Sequence, residues 1–239
     1  MPHGSNLLLN RLARPALARI AAHLSVVDLT ATEVLAEPYQ PLQRVYFPHS
    51  GIISCIVELA DGGAIETGMI GHDGEFGAGH ALDHKWSLNR VTVQVSGRAS
   101  VIASDRLRVL AGELPDFKAI LMMYEQFFLS QVQQTAACNA VHDIEARTCK
   151  WLSRMYDLAG PDLPLTQEFF AGMMGVRRTS VTTVAGVLQS AGLISYSRGR
   201  LHIADIRQIR ARACECDEVT RSHYRRMFRA AETGGTDRP

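Results

Sequence analysis

The sequence predicts an α+β chain with a front half of short antiparallel strands, one long helix, and a helical back third closed by a β-hairpin. Three observations predict it. Between Val26 and Ile102, short β-branched runs alternate with turn residues. After Pro115, no glycine or proline interrupts the chain as far as His142. Beyond Asp143 a helical period resumes and is broken once, around Gly175.

Taken in order, Asn6 to Leu24 reads as an amphipathic helix or pair of helices. Leu8, Leu12, Ile20 and Leu24 recur near helical spacing with Arg11, Arg14 and Arg19 between them, and Pro15 starts a new turn. The strand runs Val45–Phe47, Ile52–Val57 and Ala64–Thr67 follow, the last two joined across Asp61-Gly62-Gly63, a hairpin signal. Val91 to Val95 alternates as a half-buried strand does, and Val101-Ile102 is expected to follow a further turn at Gly97. Many short strands at this spacing predict an antiparallel roll or sandwich. The uninterrupted stretch then predicts a helix of about 28 residues, roughly 40 Å long. Phe117, Leu121, Tyr124, Phe128, Val132 and Thr135 share one of its faces, and so apolar a seam on so long a helix predicts a homodimer interface. Asp143 is placed to cap a helix from Ile144 to Ala159, which Gly160-Pro161 ends. The expected division is a sensory domain over 1–114, a dimerisation helix over 115–142, a second domain over 143–230, and a disordered tail over 231–239.

Charge divides the same way. Residues 1–143 hold 10 basic and 14 acidic side chains, whereas residues 144–229 hold 14 and 8. A basic back third is the footprint of a nucleic-acid-binding module. Five scattered cysteines do not make a disulfide framework and fit reduced, cytoplasmic thiols. With no leader pattern and no apolar run near membrane length, neither secretion nor a membrane partner is expected. No nucleophile elbow, phosphate-binding loop or paired-carboxylate arrangement points to an enzyme.

The most specific stretch runs from Thr166 to Val184. Two helices meeting steeply across a short turn need a small residue at their crossing, which Ala171 supplies, and a residue tolerant of positive φ in the turn, which Gly175 supplies. Phe170, Met174, Val176, Val181 and Val184 close the angle from both sides, and the second helix turns Arg177, Arg178, Thr179, Ser180, Thr182 and Thr183 outward. Leu193–Tyr196 and Leu201–Ile203 then flank a hairpin tip carrying Arg198 and Arg200, cations suited to phosphate. Together these residues predict a winged helix-turn-helix.

Over roughly residues 7–205 the chain resembles the Crp/Fnr superfamily of bacterial transcription regulators. The order matches: a β-roll with a Gly-Glu-hydrophobic-Gly segment, a long dimer helix, an Asp-capped hinge and a winged helix-turn-helix. The resemblance implies a cyclic-nucleotide-binding-like jelly roll, a homodimer, and double-stranded DNA as partner, read as a palindrome with half-sites about one helical turn apart. RNA polymerase is a further candidate partner. The resemblance puts the family's base-reading positions on Arg178, Thr179 and Thr183. The cyclic-AMP receptor has Arg, Glu and Arg there, so a different operator is implied. Thr166 and Gln167 stand where the family contacts phosphate.

The sensory half departs from the family. Gly71 to Gly77 resembles the opening of the phosphate-binding cassette, and the implied effector pocket comprises Gly74, Glu75, Phe76, Asn89 and Arg90. Asn89-Arg90 stands where cyclic-nucleotide binders carry Arg-Ser. An arginine displaced by one position on a strand faces the other way. No resident cofactor is therefore expected, a cyclic nucleotide being the alternative, and regulation is either by an unidentified effector or constitutive. A cyclic-nucleotide-binding-like signalling module that does not act on DNA is the competing reading. His80 and His84 are four apart, as metal ligands can be, but solvated loop histidines are commoner. Cys214 and Cys216 fall in an expected basic helix from Arg207 to Arg229, and a Cys-x-Cys pair without further ligands predicts no metal. The arginines of that helix are expected to be a solvated face.

Overall fold

A computed structural model describes residues 2–60, 62–83 and 86–230. Asp61 of the hairpin turn, His84, and the tail from 231 lie outside the described residues.

The N-terminal segment folds as a 3-10 turn (Pro2–Ser5) and two short helices, α1 (Leu7–Asn10) and α2 (Arg14–Ala21), with Pro15 in the first turn of the second. The buried Asn6 side chain accepts from the Leu8 and Leu9 amides and donates to the carbonyls of Pro48 and Gly74, which ties this segment to the sheet. The sheet comprises β1 (Ser25–Leu29), β2 (Val34–Ala36), β3 (Arg44–Glu58), β4 (Ala64–Ile70) and β5 (Arg90–Ala103), with α3 (Ala78–Leu82) between the last two. All pairings are antiparallel, in the order β1-β5-β3-β4, with β2 alongside β5.

The turn expected at Gly97 is absent: β5 runs straight through it. A Cβ at Gly97 would lie 2.1 Å from the Ser50 carbonyl oxygen, so this glycine serves the close approach of β3 rather than a reversal. The β3–β5 register slips between Pro48 and Ile53, and such bulges bend and twist a long pair of strands.

Helices α4 (Ser104–Glu113) and α5 (Pro115–Val141) follow, α5 being 27 residues long. Here the expected dimer seam is corrected at Phe117, Leu121 and Tyr124. Phe117 and Leu121 pack with Val45, Phe47 and Ile102, and Tyr124 packs with Ile53, Ile70 and Val93. These three side chains are at most 1% exposed. Phe128 and Val132 are half-buried beside Gly68 of β4, and Thr135 is half-buried too. Phe117, Leu121 and Tyr124 close the protomer's own roll, whereas Phe128 and Val132 also border an open groove with Met122 and Leu129. The exposed face runs instead through Ala119, Met122, Gln126, Leu129, Gln133, Ala136 and Ala140.

Asp143 caps α6 (Ile144–Ala159), accepting from the Ala146 amide at 2.9 Å. Next come β6 (Asp162–Pro164), α7 (Gln167–Met174), α8 (Arg178–Ser190), β7 (Ile194–Ser197) and β8 (Arg200–Ile203), the three strands pairing as β6-β8-β7. The expected C-terminal helix is two, α9 (Ile206–Arg212) and α10 (Cys216–Ala230), and the two cysteines stand at the break. Helix α10 turns back so that Tyr224 and Phe228 pack on Phe127 of α5. One apolar cluster holds Ile52, Ile56 and Met69 of the roll together with the buried faces of α6, α7 and α8. Among the described residues, no helix is long and apolar enough to cross a membrane.

Candidate nucleic-acid interface

The interface begins with local chemistry. Thr166 caps α7, its hydroxyl accepting from the Phe169 amide at 3.2 Å. Gly175 ends α7 at φ +64°, ψ 38°, and the Val176 amide reaches back to the Ala171 carbonyl at 3.0 Å. Glycine takes that left-handed conformation without the Cβ cost that most residues meet there. A Cβ there would also come within 3.0 Å of Ile65 on β4. Ala171, 5% exposed, lets the two helices cross closely, and Phe170 stacks on Trp151 of α6 at 4.6 Å. With Val181, Val184, Ala185 and Leu188 buried, the opposite face of α8 is turned to solvent.

That face carries Arg178, Thr179, Thr182 and Thr183, all exposed, with Arg177 at its N-cap and Ser180 half-buried. The single proton of Thr182 Oγ1 is shared between Gln167 Oε1 at 2.9 Å and the Arg178 carbonyl at 3.0 Å, while Thr183 Oγ1 donates to the Thr179 carbonyl at 3.0 Å. Each threonine keeps a lone pair and a methyl for an external partner. Gln167 braces α8 with its carbonyl oxygen, which leaves its amide donors for other partners.

The hairpin tip is a two-residue turn. Arg198 and Gly199 both have positive φ, +49° and +75°, as a type I′ turn requires. The Gly199 carbonyl accepts from the Leu165 amide at 2.9 Å, and the Tyr196 hydroxyl donates to the Leu165 carbonyl. The wing is thereby fastened to the segment that leads into α7.

Charge pairing sharpens the picture. Arg154 pairs with Asp73, Arg210 with Asp157, Arg212 with Glu145, Arg221 with Asp217 and Glu218, and Arg225 with Glu218. Arg177, Arg178, Arg198 and Arg200 are exposed and have no ion-pair partner among the described residues. Part of the uncompensated positive charge of the back third therefore sits on the recognition helix and the wing.

Residues 146–212 match the model of the Crp-like helix-turn-helix domain. The fold as a whole is similar to that of the c-di-GMP-responsive global regulator CLP of Xanthomonas campestris, at 18% identity and a TM-score of 0.64, over 81% of this chain and 100% of that one. It is similar to FixK2 of Bradyrhizobium japonicum at 12% identity and a TM-score of 0.67, over 80% and 98%. A CRP/FNR-family transcriptional regulator of Thermus thermophilus aligns at 18% identity and a TM-score of 0.64, over 79% and 98%. This is the Crp/Fnr fold. No curated protein matched the sequence.

Within that fold the cassette residues take structural roles. A Cβ on Gly74 would fall 2.0 Å from the Tyr124 hydroxyl. Glu75 is buried, and its Oε2 accepts from the Ala78 amide at 2.8 Å. Burial first, and neighbouring Glu125 second, push its carboxyl well above the ordinary range. Phe76 stacks on Tyr46, their centroids 6.2 Å apart. Asn89 is exposed. Arg90 bonds Glu37 at 2.8 Å and Glu58 at 2.7 Å, whereas Val91, its strand neighbour, lines the roll. The roll cavity holds about 180 Å³ and is lined by Glu75, Glu125 and His80, with no lysine or arginine among its described lining residues.

Two polar links between roll and helical domain carried no signal in the sequence. Glu66 on β4, 6% exposed, accepts from Ser54 Oγ at 2.6 Å and from Trp151 Nε1 at 2.7 Å. Burial raises its carboxyl to about 7, although both hydrogen bonds and Arg154 oppose the rise. Arg154 of α6 is held bidentately by Asp73, at 2.6 and 3.1 Å. Asp73 stood out in the sequence only as part of the cassette, and its partner lies 81 residues away.

Proposed function

We propose that the protein is a sequence-specific, dimeric DNA-binding transcription regulator. The observation that carries this reading is the exposed face of α8, where Arg178, Thr179 and Thr183 stand beside two unpaired wing arginines on a rigid frame. Arg178 suits a guanine edge, and the threonines suit a thymine methyl or a base-edge donor. Arg177, Arg198 and Arg200 suit phosphate, which fixes register without reading sequence, and Thr166 and Gln167 at the start of α7 suit it too.

Dimerisation would use the outer face of α5. Ala119, Met122, Gln126, Leu129, Gln133, Ala136 and Ala140 follow one another at alternating steps of three and four, the spacing of a coiled-coil seam. Cyclic nucleotide is a poor effector for this roll. Its cavity, about 180 Å³, is smaller than the ~300 Å³ at which ligand pockets begin, and its described lining offers no lysine or arginine to meet a phosphate. Regulation would therefore reach the DNA-binding heads through another site or would be constitutive.

Titrating the full chain with DNA from its own upstream region tests the reading. A salt-sensitive, sequence-preferring complex is expected. Arg178→Ala should cost about 1–3 kcal/mol and relax one base position, whereas Arg200→Ala should weaken binding evenly across sequences. An unchanged preferred sequence in Arg178→Ala would refute the assignment of α8. Absence of any such complex would favour a signalling module that does not act on DNA.

A further inference from the structure

Cys138 ends the buried face of α5, His142 caps its C-terminus, and Cys214 and Cys216 occupy the break between α9 and α10. One donor atom from each of these four residues lies within 4.8 Å of the other three. Cys138 Sγ and Cys214 Sγ are 3.5 Å apart, and Cys216 Sγ and His142 Nδ1 are 3.6 Å apart. Zinc–sulfur bonds of ~2.3 Å and zinc–nitrogen bonds of ~2.0 Å in a tetrahedron set neighbouring donors roughly 3.5–3.8 Å from one another. These two separations are of that size, and the remaining ones stay within 4.8 Å.

The surroundings match as well. The three cysteines are buried, with Ala146 packed against them. The other ring nitrogen of His142, Nε2, lies 3.1 Å from Glu215 Oε1, the carboxylate–histidine pairing that orients a metal-bound imidazole. Gln134 Nε2 donates to Cys216 Sγ at 3.0 Å, a bond that stabilises thiolate charge. Cys216 also opens the 15-residue α10, where the helix dipole favours a thiolate.

We propose that Cys138, His142, Cys214 and Cys216 form a structural Zn²⁺ site that clamps the hinge between α5 and α6 to the α9–α10 junction. Three thiolates and an imidazole select a soft, tetrahedral ion, and four protein ligands leave no position open for catalysis. The clamp holds the start of α10, whose far end packs on α5 and the roll, so it sets the angle at which α6 leaves the long helix.

The experiment uses the full-length protein. Elemental analysis after purification without chelator should give one zinc per chain. Stripping the reduced protein and titrating with cobalt(II) should produce the intense visible bands of tetrahedral cobalt together with thiolate-to-cobalt charge transfer, saturating at one equivalent. Cys214→Ser and Cys216→Ser should lose that signal, and Cys55→Ala, which removes a thiol outside the cluster, should keep it. Should the serine variants fold poorly, His142→Cys keeps four donors and should shift the cobalt bands toward a four-thiolate spectrum. A folded, reduced wild-type chain that takes up neither zinc nor cobalt overturns the proposal. So does a peptide map in which Cys138 and Cys214 are joined by a disulfide and metal uptake after reduction is absent.

Discussion

At the scale of single residues, Glu66 is a carboxyl that couples the two halves of the chain. It sits in the apolar contact between β4 and α6, accepting from one hydroxyl and one indole N–H. Its folded value of about 7 stands above the ordinary 4.5, so between those limits the folded state holds more protons than the unfolded one. Stability then falls as pH rises through that window and is greatest below it. Glu66→Gln keeps an acceptor for Trp151 and removes the titration. We expect it to flatten the pH dependence between about 4.5 and 7 and to raise stability by about 1–3 kcal/mol above pH 7, measured by denaturant unfolding across pH. A variant whose unfolding keeps the wild-type pH slope would show that another group titrates there. Arg178 illustrates the opposite case, a residue whose environment is empty. No acidic group among the described residues pairs with it, and its effect should appear in DNA titrations and not in stability.

Among the elements, α5 carries two faces with different duties. The inner face, with Phe117, Leu121 and Tyr124, belongs to the core, so Phe117→Ala should cost about 3–5 kcal/mol of folding stability. The outer face is where a second copy would lie. Leu129, 56% exposed, stands mid-way along it. Leu129→Glu should set like charges against each other across a twofold axis, giving a monomer by light scattering while the melting transition of the protomer persists. A dimer in Leu129→Glu, or a monomer in Phe117→Ala with its core intact, would reverse the assignment of the faces. Periodicity at steps of three and four identified the aromatic face as buried, yet it carries no information on whether a sheet or a second helix does the burying. The break between α9 and α10 was hidden for a similar reason: Ala213-Cys214-Glu215 contains neither glycine nor proline, and only the return of α10 onto α5 forces the chain to turn there.

For the whole molecule, roll and helical domain share a core and two buried polar links. The contacts run from Ser54 through Glu66 and Trp151 to the stacked ring of Phe170 on α7. A head fastened in this way has a defined orientation, and a twofold mate on α5 would set two recognition helices at a fixed separation. Half-sites about one helical turn, ~34 Å, apart are then expected. Inserting half a turn, about 5 base pairs, between the half-sites should abolish cooperative binding in a footprinting assay, and a full-turn insertion should harm it less. Equal affinity for both insertions would mean that the heads bind independently.

Local chemistry settled a great deal without tertiary information. The glycine in the helix-turn-helix, the aspartate capping α6 and the proline-free length of α5 each follow from steric or hydrogen-bonding demands that act within a few residues. What lay beyond such reach was decided by packing. The outward turn of Arg90 toward Glu37 and Glu58, the pairing of Asp73 with Arg154, and the meeting of Cys138 and His142 with Cys214 and Cys216 join residues that are tens of positions apart. A chain states its periodicities and breaks locally, but which distant side chains share a volume depends on how its apolar faces find cover, and that is known only once the core has closed.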